Sequence, residues 1–180
     1  MHNKYIILAA TSEELSPLRA LLSQADIFTA TCGVGLVEAG IQTAKILSSL
    51  NFKTHSNDTT VIFIGSVGSY SKTNAPCKEI IVSKSVHLLE TDDTRRRCAA
   101  MEYDYQCSED AISKLTGNTE VVMGEIYSPL SLFKESSPSQ KTLDSLAERI
   151  NCFESLESFA IASACKHFNL PFIHIAVSTN

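Results

Sequence analysis

The sequence has no run of about 20 apolar residues, the length a membrane-spanning helix needs. Its opening, MHNKYIILAATSEE, turns polar too soon for the apolar region of a secretory signal. Positive charge is sparse: 15 Lys and Arg against 20 Asp and Glu leave a formal charge of -5. A phosphate-tracking nucleic-acid surface needs clustered basic residues, and the single basic run, Arg95-Arg96-Arg97, reads as a solvated loop. The six cysteines include no CxxC pair and no histidine at metal-ligand spacing, so a zinc site is not expected. Several lie inside apolar stretches, which suits buried thiols in a reducing compartment better than a disulfide framework. No GxGxxG fingerprint, GxxxxGK[ST] phosphate loop or GxSxG elbow occurs. These absences predict a cytoplasmic protein that uses no metal or cofactor and binds neither nucleic acid nor membrane.

What is present suits one compact α/β domain over 1–180. At 180 residues and 44% hydrophobic content, the chain can bury one full core. Residues 4–10 (KYIILAA) are continuously apolar, the pattern of a strand buried on both faces. Ser12, Glu13 and Glu14 then precede leucines at helical spacing, an acidic first turn that suits the helix dipole. Strands are predicted at 27–32, 60–65, 79–86, 119–123 and 172–177. Helices are predicted at about 37–50, 140–149 and 155–168, and a long loop over 90–118 has room for one helix near 108–115. Gly33-Val34-Gly35 and Gly65-Ser66-Val67-Gly68 read as turns. Alternating elements imply right-handed crossovers and a mostly parallel mixed sheet covered by helices on both faces. In such sheets binding residues gather beyond the carboxyl ends of the strands. That rule selects 11–14, 33–35, 65–68, 124–128 and 178–180.

Position alone gives these residues little. Glu14 could simply compensate a helix dipole, and His87 and His174 are ordinary core or surface histidines. Glu157 lies among Ser158, Ala160 and Ala162, small residues that suggest a closely packed helix. A carboxylate buried there without a partner would be costly, so it should have a task.

The motifs taken together say more. AATSEELSPLRALL, CGVGLVEAG, VIFIGSVGSY and FESLESFAIASACKHFNLPFIHIAVSTN resemble, in order and spacing, the purine nucleoside phosphorylase and nucleosidase superfamily. The resemblance spans nearly the whole chain. The opening AAT-x-x-E, the direct passage from the first helix to CGVG and the terminal Asn180 look most like futalosine hydrolases. Methylthioadenosine and adenosylhomocysteine nucleosidases usually carry Asp at the Asn180 position. Three departures accompany the match. Ala176 replaces a common arginine, Leu156 replaces the methionine before the key glutamate, and the sequence ends at Asn180, where relatives continue into a C-terminal helix: either the sequence is shortened, which the abrupt end favours, or the domain lacks that helix.

Carried over by position, the resemblance gives Glu14 the role of activating the attacking water. Glu157 would grip the ribose hydroxyls with Leu156 beside it, Ser66 and Gly68 would line the ribose and base pocket, and Tyr127 would stack on the purine. Asn180 would contact N7 and the 6-substituent. Cleaving a ribosyl C–N bond passes through an oxocarbenium-like sugar, so one carboxylate stabilises positive charge while another activates water. The Asn180 carbonyl can accept from a protonated N7 while its amide donates to an oxygen at C6, which favours hypoxanthine as leaving group. Ser12, Glu13 and Glu14 would repel phosphate, which favours hydrolysis over phosphorolysis. The resemblance thus implies a futalosine hydrolase with a place in menaquinone biosynthesis, working as a homodimer on a small nucleoside and water. Three alternatives stay open. One is a nucleosidase for 6-aminopurines such as methylthioadenosine, adenosylhomocysteine or aminodeoxyfutalosine. The others are a nucleoside-binding protein without turnover and a generic α/β domain.

Overall fold

The computed structural model describes residues 5–22, 27–50, 59–70, 78–89, 104–117, 119–129, 140–148 and 151–179. The run expected as a strand buried on both faces is β1 (Tyr5–Ala9). Ile6 and Leu8 enter one hydrophobic cluster, Ile7 and Ala9 another, as the period of two requires. Helix α1 (Ser12–Leu22) follows and lays Leu15 on the Ile7 and Ala9 face. Next come β2 (Ile27–Thr31), α2 (Leu36–Ser49), β3 (Thr60–Ser69) and β4 (Ile80–Leu89). The chain continues through β5 (Asp104–Gln106), α3 (Glu109–Thr116), β6 (Val122–Pro129), α4 (Gln140–Ala147), β7 (Cys152–Glu154), α5 (Ser158–His167) and β8 (Phe172–Ser178).

The sheet is mixed and curls on itself. β2, β1, β3 and β8 pair in parallel, as do β4, β6 and β7. Antiparallel contacts join β3 to β7, β4 to β8 and β4 to β5. The pairings β3–β8–β4–β6–β7–β3 therefore close a ring of five strands, and β1 and β2 extend it from β3. Closure depends on the length of β3. Its first part, Val61–Val67, pairs with β8, and its last two residues, Gly68 and Ser69, turn to β7.

The expected turn at Gly65-Ser66-Val67-Gly68 is thus strand, because Ser66 and Val67 stay in register with Val177 and Ser178. The short strands β5 and β7 lie where no strand was expected. Three residues each are too few to show a hydrophobic period, and pairing with a neighbour decides them. Strand β6 begins later than expected and runs on to Pro129. The arginine triplet and Asn180 lie outside the described residues.

Helices α2 and α5 cover the Ile6, Leu8 and Phe63 side, where Phe159, Ile161 and Leu47 join the largest cluster. The two helices touch closely. A Cβ on Gly40 of α2 would stand 3.3 Å from the Ala160 Cβ of α5. This contact is what the small residues of α5 permit. Among the described residues, no helix is long and apolar enough to cross a membrane.

Candidate functional site

The carboxyl ends of β1, β2, β3, β7 and β8 meet beside the first turns of α1, α2 and α5. After β1 the chain enters α1 through a reciprocal cap. Thr11 N–H donates to Glu14 Oε2 at 3.1 Å, and Glu14 N–H donates to Thr11 Oγ1 at 3.4 Å. Such a cap fixes the glutamate side chain at its helix start. The other carboxylate oxygen hangs over β3: a Cβ on Gly65 would lie 3.3 Å from Glu14 Oε1. Glycine at 65 therefore makes room for the carboxylate beside Ser66.

After β2, Cys32 and the Gly33-Val34-Gly35 loop lead into α2. Gly33 and Gly35 have φ of 84° and 83°, a backbone region that side chains disfavour. A Cβ at Gly33 would also meet Glu38 Cγ. This backbone aims Gly35 N–H at Glu157 Oε1, 2.9 Å away. The carboxylate thereby occupies the positive N-terminal end of α2, whose cap residue has no side chain of its own to offer.

Glu157 precedes α5 and is buried. Burial raises its pKa above the usual carboxylate value, and the negative charge of Glu14 pushes the same way. Hydrogen bonds from Gly35 N–H, its own backbone and Ser155 oppose this. Cys32 sits between the pair. Its thiol donates to Ala9 O at 3.3 Å, and burial, then Glu157, push its pKa up to about 12. It is a packing residue and a poor nucleophile at neutral pH.

The structure brings Glu14, Glu157 and the Gly65–Gly68 stretch to one end of the sheet. Ser66 is exposed there, and Gly68 pairs with Glu154 on β7, one residue before Ser155. Leu156 forms a wall of a cleft of about 410 Å³ with Val34, Gly35, Leu36 and Pro129. Thr179, the last described residue, is tied to Val67 O by its N–H at 3.0 Å and its hydroxyl at 3.3 Å. Asn180 lies beyond it, outside the description.

Tyr127 is placed differently from the expectation. Its neighbours on β6, Ile126 and Ser128, face α5: Ile126 joins the main cluster, and Ser128 Oγ accepts from Phe159 N–H at 3.0 Å. Alternation therefore turns Tyr127 to the opposite face, with Leu89, Leu146 and Cys152. There its ring stacks on His87 at 4.8 Å, and its hydroxyl donates to Glu125 Oε2 at 3.0 Å. His87 thus covers one face of this ring.

Sequence reasoning missed Gly35 as the amide donor to Glu157, and Ser155 and Ser158 behind it. The S-L-E-S run around Glu157 was the available signal. Among the described residues, no group of three or more His, Cys, Asp or Glu is arranged to hold a metal ion.

No protein-family model matches the sequence, and no curated protein matches it. Solved structures do. A methylthioadenosine nucleosidase mutant (D198N) of Helicobacter pylori with 5'-methylthioadenosine in its active site superposes with a TM-score of 0.75 at 17% identity, over 99% of this chain and 85% of that one. The native futalosine hydrolase of Helicobacter pylori gives 0.76 at 18% identity, over 100% of this chain and 88% of that one. A putative 5'-methylthioadenosine/S-adenosylhomocysteine nucleosidase from Borrelia burgdorferi, bound to adenine, gives 0.74 at 19%, over 97% and 85%. Near-complete superposition on three such proteins accounts for the order of elements and the ring of strands. The chain has the fold of the nucleoside phosphorylase and nucleosidase superfamily.

Proposed function

We propose that the protein hydrolyses the N-ribosidic bond of a purine nucleoside, with futalosine, releasing hypoxanthine, as the preferred substrate. The observation that carries this reading is the pairing of Glu14 and Glu157 at one end of the sheet, one over Gly65 and the other on the α2 amide. Two carboxylates there divide the work of glycosyl transfer. Glu14, only partly buried, takes a proton from water, and Glu157 holds the ribose hydroxyls and faces the developing positive charge. Each positioned group contributes on the order of 10²- to 10⁴-fold.

Asn180 supplies the choice of a 6-oxopurine in this reading, and Ser66, Gly68 and Leu156 line the pocket. A second copy of the chain closes the cleft, where Val34 and Val37 are exposed at its rim. The test is chromatography of purine release from futalosine, aminodeoxyfutalosine, methylthioadenosine and inosine, with and without phosphate. Phosphate-independent hypoxanthine release from futalosine, lost in Glu14→Gln with binding retained, is the expected result. Adenine release instead moves the enzyme to the aminopurine nucleosidases. Binding without release from any of the four leaves a nucleoside-binding protein.

A further inference from the structure

Behind Glu157 three buried polar side chains run in series. His174 Nδ1 lies 2.7 Å from Ser158 Oγ, and Ser158 Oγ lies 2.8 Å from Ser155 Oγ. Ser155 Oγ lies 3.5 Å from Glu157 Oε2 and also accepts Glu157 N–H at 3.4 Å. The three come from separate elements. Ser155 follows β7, with its N–H donating to Tyr127 O; Ser158 opens α5; His174 is on β8, its ring 4.6 Å from that of Phe63.

The direction of the series follows from what each end can do. A carboxylate only accepts, so the Ser155 hydroxyl donates to it. Ser155 Oγ then accepts from the Ser158 hydroxyl, and Ser158 Oγ accepts from His174. The imidazole proton therefore sits on Nδ1. The other ring nitrogen agrees: His174 Nε2 is buried with no hydrogen-bond partner among the described residues. A bare lone pair there costs less than a stranded N–H. Reversing the chain would put the proton on Nε2 and turn the last hydroxyl away from Glu157.

We propose that His174, Ser158 and Ser155 form a one-way chain of donors that orients the Glu157 carboxylate and holds it anionic. His174 is thereby a positioning residue, and this role rests on the reading of Glu157 as the ribose-gripping group. Hydrogen bonds in series polarise one another, so each link strengthens the last. The imidazole can keep this direction because it stays neutral: burial alone pushes its pKa down to about 3. Glu157 faces Glu14 from α1, Cys32 from the end of β2 and the Gly35 amide from α2. Burial and Glu14 disfavour its charge, so the donors behind it carry the opposing effect along with Gly35.

The full-length protein tests this by ¹³C-carboxyl titration of Glu157, with kcat and KM for purine release measured alongside. In Ser155→Ala and Ser158→Ala the Glu157 pKa should rise, and the acidic limb of the pH–rate profile should move up with it. Misplacing the carboxylate should lower kcat roughly tenfold and change KM less. Ser158→Thr, which keeps the hydroxyl, should restore both. Ser155 lies outside the helix, so its variant gives the readout even where Ser158→Ala weakens α5. An unmoved Glu157 pKa in folded Ser155→Ala overturns the proposal. Wild-type protein that releases no purine while the pKa still moves as described overturns the hydrolase reading and leaves the chain of donors standing.

Discussion

Replacing Glu157 with Gln should make the protein more stable while making it less active. The carboxylate is 9% exposed, and among the described residues it has no cationic partner. Its acceptor for Gly35 N–H at 2.9 Å survives in an amide carbonyl, and the Ser155 contact given up is a long one at 3.5 Å. What the substitution removes is a charge that burial and Glu14 both oppose. The folded pKa is raised, so the folded protein holds this proton more tightly than the unfolded chain does. The group therefore costs nothing below the unfolded carboxylate value of about 4.3. Stability falls as pH climbs from there to the raised folded value, and levels off above it. The amide escapes that fall. Relieving a strained functional group contributes about 0.5–2 kcal/mol, and for a chain of this length each kcal/mol shifts Tm by about 2–4 °C. Calorimetry of wild type and variant at pH 8 should show a gain of a few degrees that shrinks toward pH 4.5. Purine release should fall by about 10²-fold or more. A lower Tm at pH 8, or a gain that does not change with pH, would refute the claim that this carboxylate is held at a cost.

Three other perturbations follow from the same geometry. A Cβ at Gly124 would stand 2.6 Å from two ring carbons of the fully buried Phe153, so Gly124→Ala should cost about 1–3 kcal/mol by urea denaturation. Phe153→Leu added to it should recover part of that loss, and a neutral Gly124→Ala would contradict the packing. Gly65→Ala puts a Cβ 3.3 Å from Glu14 Oε1, which should lower kcat roughly tenfold with stability within about 0.5 kcal/mol. Equal losses of activity and stability would mean the strand itself had been disturbed. Burial raises Cys32 to about 12 and Cys107 to about 11. Both should resist iodoacetamide at pH 8 until urea is added, as read by peptide mass spectrometry, and rapid native labelling of either would show that its thiol is open to solvent.

The chain's local signals were strong where a segment is buried whole or repeats its pattern. KYIILAA carries the continuous apolar pattern of a strand covered on both faces, and Leu15 and its successors, after an acidic turn, fall at helical spacing. Glu14 was legible because its helix start, with Thr11 three residues before it, is written in adjacent residues. The signals failed where pairing between distant segments decides the outcome. The Gly65–Gly68 stretch has the composition of a turn, yet β8 supplies hydrogen-bond partners that hold it extended. The contacts of Tyr127 were equally out of reach: one alternation of β6, fixed by Ile126 and Ser128 facing α5, sets its ring against His87, Leu89, Leu146 and Cys152.

By itself, the sequence determined the alternation and order of the longer strands and helices, and that Glu14 stands next to the end of the first strand. Those properties depend on neighbours within a few residues, through hydrophobic period and capping. Only the tertiary structure decided that β3 and β4 share β8 and close a ring, that the Gly35 amide meets Glu157 across 122 residues of chain, and that His174 stands behind Ser158. Those contacts join segments whose separation in sequence carries no local pattern. They form because burying both faces of β3, β8 and β4 leaves those strands few other places to pair.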